Sequence, residues 1–261
     1  MLSSLAECID TAPRTEKALV TVNRQGPDTL LSLLRRAFEN QGVSLGDVYV
    51  PEGDDDVVLL VEDGRVTATS PMAQLRDTFL LVNTDYYRTG PNLLDERAVP
   101  DVLAGLSDVE FHVRGFPASA KEKLVLVVIS RLIEGRALSA AEGTYHVGFQ
   151  YLARLDAEGG TRAVHERLAE TALDVHIYGG REHGSRVADA LDATVHAAGG
   201  EELRRSWFVV YEPPDGGPEH IALVAVLVGD NEWRAVWTES RELVEETAAY
   251  LETALQSGTR D

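Results

Sequence analysis

Cysteine and lysine are nearly absent from this chain of 261 residues: Cys8 stands alone, and Lys17, Lys121 and Lys123 are the only lysines. One thiol excludes an intramolecular disulfide and a thiolate metal cluster. Arginine therefore supplies most of the 24 basic residues, against 43 acidic ones, for a formal charge of −19. A field of that sign repels phosphate backbones and anionic membrane surfaces, so neither nucleic acid nor membrane is expected as a partner. Long apolar runs are missing too: Leu124 to Ile129 is far too short to span a bilayer. Residues 1–17 (MLSSLAECIDTAPRTEK) carry no basic stretch followed by a long apolar core, so they do not read as a signal peptide. A cytoplasmic location is expected. No G-x-S-x-G is present for a hydrolase nucleophile elbow.

What remains is ample for a core. Hydrophobic residues make up 44% of the chain, and no repeat or Ser/Gly-rich linker divides it. One domain over 1–261 is expected, with about 1–16 as an N-terminal extension or short helix. The acid excess, with few lysines, is the composition of a protein kept soluble in strong salt by hydrated carboxylates. An ordinary acidic protein from a GC-rich genome would also favour arginine.

The patterning alternates. ALVTVN (18–23) predicts a strand, and Gly26-Pro27-Asp28 opens a helix with Leu30, Leu34 and Phe38 on one side. VVLLVE-DG-RVTAT (57–69) predicts a hairpin turning at Asp63-Gly64, where both positions tolerate positive φ. A short helix is expected over 71–82, whereas 83–110 has no clear pattern. Ser119 and Glu122 form a capping box that opens an apolar helix over 120–138. Strand 144–149, helix 161–171, strand 174–178, a short helix at 185–192 and strand 194–197 follow, implying crossovers and parallel pairing. Strands 207–211, 221–228 and 232–238 predict an antiparallel meander, closed by an amphipathic helix over 240–255. The fold class is mixed α/β: a sheet with parallel central strands, helices packed on it and a C-terminal antiparallel meander.

Several segments carry a resemblance to a known family: ALVTVNRQG (18–26), ISRLIEGRA (129–137), GTYHVGFQYL (143–152), LDVHIYG (173–179), SWFVVYE (206–212) and IALVAV…W…VWT…LVEETAAYL towards the end. Together they resemble the DICT sensory domain family, found in diguanylate cyclases and two-component systems and as stand-alone haloarchaeal proteins. The resemblance implies a cytosolic, non-catalytic sensory domain. Its partner would be a signalling output protein such as a histidine kinase, cyclase or regulator. It would take a small-molecule ligand of unknown identity, with no assigned cofactor. No segment here reads as an output domain.

The resemblance directs attention to the helix–strand unit at 129–150 and the loop after Tyr178. His146 lies mid-strand. It reads first as a core imidazole bonded to a neighbour, and second as part of a site at the strand's carboxyl end, where Gly148 and Gln150 would offer backbone and amide. Arg131 and Glu134, three apart on the helix, share a face, and Glu134 bonding His146 is one option. Tyr178, Gly179 and Gly180 lead into GGREHGS (179–185), which has the outline of a phosphate loop but lacks the Walker lysine. His146, His176 and His196 can align across a parallel sheet, although no spacing is that of a metal motif, so no metal is expected. Trp207, Trp233 and Trp237 are secondary candidates for stacking a flat ligand, or the buried side of the meander. The competing class is an enzyme on a phosphorylated or nucleotide substrate, with His146 as acid/base oriented by Glu134.

The charge yields a direct test. Self-repulsion at −19 is screened by salt, so the thermal unfolding midpoint should rise steadily from low to molar potassium chloride in calorimetry. A flat profile would remove the salt-adapted reading.

Overall fold

A computed structural model describes residues 1–26, 29–38, 41–82, 99–114, 120–157, 159–180, 186, 188–197, 200–214, 217 and 219–254. The elements run, in chain order, α1 (Leu5–Thr11), β1 (Lys17–Val22), α2 (Thr29–Phe38), β2 (Val43–Val48), β3 (Val57–Glu62), β4 (Arg65–Pro71), α3 (Met72–Val82), α4 (Asp101–Ala104) and β5 (Phe111–Arg114). There follow α5 (Ala120–Ala140), β6 (Glu142–Tyr151), α6 (Ala153–Ala157), α7 (Gly159–Ala169), β7 (Ala172–Gly180), β8 (Thr194–Ala197), α8 (Glu201–Arg204), β9 (Ser206–Glu212), β10 (Ile221–Gly229), β11 (Glu232–Thr238) and α9 (Arg241–Ala254).

The mixed α/β class holds, but the strands divide between two sheets. The smaller has four strands ordered β2-β1-β3-β4, and the larger has seven ordered β5-β11-β10-β9-β6-β7-β8. In the larger sheet β6–β7 and β7–β8 pair in parallel, while β9, β10, β11 and β5 form the antiparallel part. The hairpin turns where predicted, with Asp63 at φ 49° and Gly64 at φ 75°. In place of the short helix expected at 185–192 there is only a 3-10 turn at Ala188–Ala190 among the described residues. Strand β2 carries no clear alternation and was not expected. The capping box at Ser119 and the phosphate-loop outline at 181–185 lie outside the described residues.

Helix α5 organises the interior. Val125, Leu126, Val128, Ile129, Leu132, Ile133 and Ala137 are buried over about half of the helix circumference, and Ser130, Glu134 and most of the Arg131 side chain are buried on the rest. It packs against β5, β6, β9 and β10 of the larger sheet and also against α2, α3, α4 and α7. One hydrophobic cluster consequently runs from Leu19 and Leu60 of the smaller sheet through α5 to Val209 and Leu223 of the larger. The larger sheet's opposite face is covered by α1, α8 and α9, with Cys8, Tyr178, Phe208, Val224 and Leu251 in a second cluster. Burial raises the Cys8 thiol to about 11, so it stays protonated and inert.

Two buried polar residues tie the smaller sheet together. Lys17, opposite Glu62 on β3, donates from Nζ to the Gly105 carbonyl at 2.9 Å and pairs with Glu62 at 3.7 Å. Asn23, at φ 47°, closes the turn after β1. Its Nδ2 donates to the carbonyls of Val50 at 2.7 Å and Gly53 at 2.9 Å, and its Oδ1 accepts the Val50 amide at 2.7 Å. Replacing Asn23 by alanine strands those groups and leaves a β-carbon in the left-handed region. It should cost about 3 kcal/mol in urea unfolding, with an unchanged m-value.

Candidate functional site

The register of the larger sheet builds the site. His146 on β6 lies opposite His176 on β7, and Gly148 lies opposite Tyr178. Tyr178 lies opposite His196 on β8, while Thr144 faces Glu212 on β9. Side chains alternate along a strand, so Glu212, His146, Asp174, His176, Tyr178 and His196 all point to the face that α8 and α9 cover.

They touch. His146 Nδ1 is 3.2 Å from the Tyr178 hydroxyl, and its Nε2 is 3.8 Å from Glu212 Oε2. That Nε2 is buried with no hydrogen-bond partner among the described residues. His176 Nε2 sits 3.2 Å from Asp174 Oδ2, and its Nδ1 is 2.9 Å from His196 Nε2. The rings of His176 and His196 are parallel within 4° with centroids 5.1 Å apart, and His196 stacks on Tyr178 at 4.3 Å. The His146 and His176 rings lie 4.8 Å apart. The result is a continuous row of rings across three strands, with Glu212 beside His146 at the β6 end and Asp174 beside the central His176. Burial, followed by the charges of Glu252 and Asp174, pushes the Tyr178 hydroxyl far up its range, so it remains a neutral donor.

The row has one edge near solvent. The Asp174 side chain is 66% exposed. It lines a cleft of about 270 Å³ together with Thr171, Leu191, Asp192 and Thr194, at the amino ends of β7 and β8. Strand β8 begins opposite His176, so β7 has no β8 partner beside Asp174. No group of three or more His, Cys, Asp or Glu side chains is placed to hold a metal ion among the described residues.

Arg131 and Glu134 belong to a different place. They pair with each other at 2.5 Å on the inward part of α5, and Arg131 also reaches Thr161 Oγ1 at 3.4 Å. Their neighbours are Tyr145 and His165, whose ionisation Glu134 and Arg131 bias. Tyr145 is adjacent to His146 in sequence and therefore points to the opposite face. Glu134 thus does not orient His146, and the acid–base arrangement that needs Glu134 at a cleft-facing His146 is not formed: His146 is fully buried. The sequence reading missed His165. Its Nδ1 donates to the Thr161 carbonyl at 2.8 Å, which leaves Nε2 to accept from the Tyr145 hydroxyl at 3.5 Å. A histidine four residues after a threonine on an amphipathic helix was the available signal. Nothing local distinguished it from a surface histidine.

The glycines serve packing. A β-carbon on Gly148 would lie 2.2 Å from the Phe208 ring, so that ring occupies the space proposed for a ligand. One on Gly179 would lie 2.8 Å from Leu152, and one on Gly180 would lie 3.1 Å from the Gln150 carbonyl. The Gln150 side chain accepts from Arg154 at 2.5 Å. Trp237 is buried with its face stacked on Phe111 at 4.9 Å. Trp207 and Trp233 are half-buried against the same core, so the tryptophans form the inner side of the meander and are not joined to the histidine row.

Residues 102–225 match the family model described as DICT, a sensory domain in diguanylate cyclases and two-component systems. No curated protein and no solved structure matches. The matched span contains α5, β6, β7, β8 and β9, and so the whole ring row. The likenesses noted at 18–26 and in the last strand and helix fall outside it.

Acid stability follows from the buried rings. Burial holds His165 below its ordinary value. Burial, then the neighbouring His176 and His146, brings His196 down from 6.5 to about 4. The unfolded chain takes these protons first, so stability is present above pH 6.5 and is lost as pH falls from there towards about 4. Urea titrations across that window should show a falling unfolding free energy, and His196→Gln should flatten the slope.

Proposed function

We propose, from the match of residues 102–225 to the DICT model, a sensory domain of signalling proteins, that this chain is a cytosolic signal-relay module without catalysis. It takes an unidentified small ligand as input and hands the result to an output partner such as a histidine kinase, a cyclase or a regulator. The observation that carries this reading is the ring row leading from the Asp174 cleft to the interior. A ligand that engages Asp174 and Thr194 in the cleft draws on a carboxylate already committed to His176 at 3.2 Å. The disturbance passes through ring contacts to Tyr178, which packs against Phe208 at 5.5 Å beneath α9. The output is a population shift: the ligand favours one of two packings of α9 on the sheet, and the partner reads which one is present. Arg131 and Glu134 serve in this scheme as a buried strut between α5 and α7, outside the ligand contacts.

Differential scanning fluorimetry in molar salt against nucleotides, flavins and bilins tests the ligand. At least one class should raise the unfolding temperature, and Asp174→Ala should remove that rise. Because Asp174 is largely exposed, the variant's own stability should change by no more than about 0.5 kcal/mol. A null panel beside a stable protein complex would make this a pure interaction module.

A further inference from the structure

The row contains a feature that ligand binding does not require. Two imidazoles meet nitrogen to nitrogen, His176 Nδ1 and His196 Nε2, at 2.9 Å. A neutral pair at that distance holds a single hydrogen between two ring nitrogens, so one ring donates and the other accepts. When His176 gives its Nε2 hydrogen to Asp174, its Nδ1 has only a lone pair, and His196 must donate. If one proton from water is added to His176, the ring keeps its hydrogen to Asp174 and gains one at Nδ1. His196 Nε2 must then accept, and its own hydrogen moves to Nδ1. Uptake of a proton therefore reverses the hydrogen bond and changes the tautomer of His196 without breaking a contact.

We propose that this sheet-edge pair is a proton sensor: His176 and His196, clamped by Asp174, bind one proton between them, and the added charge is felt by Tyr178 and His146 behind them. The proposal rests on the sensory reading above and supplies its regulation.

Burial and the neighbouring imidazoles oppose a charge on His196, and the Asp174 carboxylate works against them. The titratable groups facing the pair are Asp174 and Tyr178 from β7 and His146 from β6; behind them Glu212 from β9 stands beside His146 and Glu252 from α9 acts on Tyr178. Asp192 lines the cleft beside Asp174. On α8, the neighbouring Glu202 is engaged by the Leu5 amide and the Tyr250 hydroxyl. The ionisable partners are thus carboxylates, a neutral phenol and a third imidazole. That third imidazole sets the stoichiometry. His146 lies 4.8 Å from His176, so a second charge there would meet the first at close range. The row holds one proton at a time. Exposure of Asp174 to the cleft gives that proton its entry.

Long-range nitrogen–proton NMR of the full chain, labelled on histidine nitrogens, reads tautomers ring by ring through a pH series. The expected result is one shared step. The signals of His176 and His196 should move together, with His196 exchanging which nitrogen bears its hydrogen. Asp174→Asn should lower the midpoint by about one pH unit, and His196→Gln should leave His176 titrating alone at a different midpoint. Amide hydrogen exchange over β8 and α9 should change across the same step in the unmodified protein and stay constant in Asp174→Asn within that range. Independent titration of the two rings, retention of the neutral tautomers until the fold is lost, or a step without any change in amide protection would each overturn the proposal. A small molecule that raises the unfolding temperature while the rings do not titrate would leave the sensory reading standing and remove only the proton.

Discussion

A helix buried on all sides has to be covered from every direction, and α5 imposes that condition on this protein. Buried side chains ring its circumference, and one sheet face cannot enclose a helix. The larger sheet covers part of it, and α2, α3, α4 and α7 cover more. The smaller sheet completes the same hydrophobic cluster from behind. The charges on the buried stretch follow the same condition: Arg136, nearest its end, pairs with Glu239. Arg131 and Glu134 pair with each other, because either left alone in that setting would be costly.

The strand after α5 then sorts chemistry by parity. Ala141, at φ 56°, and Gly143, at φ 102°, reverse the chain sharply from helix to strand. A β-carbon on Gly143 would lie 2.3 Å from the Glu212 carbonyl. From there Tyr145, Val147 and Phe149 turn towards α5 while His146 and Gly148 turn away. Neighbours in sequence thus serve separate clusters. Tyr145 joins His165 and the arginine–glutamate pair. His146 joins Tyr178 and, across β7 and β8, His176 and His196. The ring row exists because parallel pairing brings equivalent positions of β6, β7 and β8 side by side.

That sorting explains what the sequence disclosed and what it withheld. Periodicity and turn chemistry are local, so the hairpin at Asp63-Gly64, the strands of the meander and the long helix were readable. The division into two sheets was not, because it depends on which strands cover α5, a property of packing. The alignment of His146, His176 and His196 was visible as a possibility, since each lies within a short β run. The link between Glu134 and His146 failed on parity: proximity along the chain across a helix–strand junction does not fix the face. The glycines at 148, 179 and 180 misled for a related reason. Missing side chains look the same in sequence whether the space admits a ligand or, as at Gly148, an aromatic ring from the next strand.

Lys17 carries a consequence of a different kind. Its ammonium is held against the Gly105 carbonyl, with the side chain only 3% exposed. An acylating reagent needs the free amine, so it can modify this lysine only when β1 separates from the Gly105 turn. In a protein with so few lysines, one residue's chemical labelling rate becomes a clock for the opening of the smaller sheet.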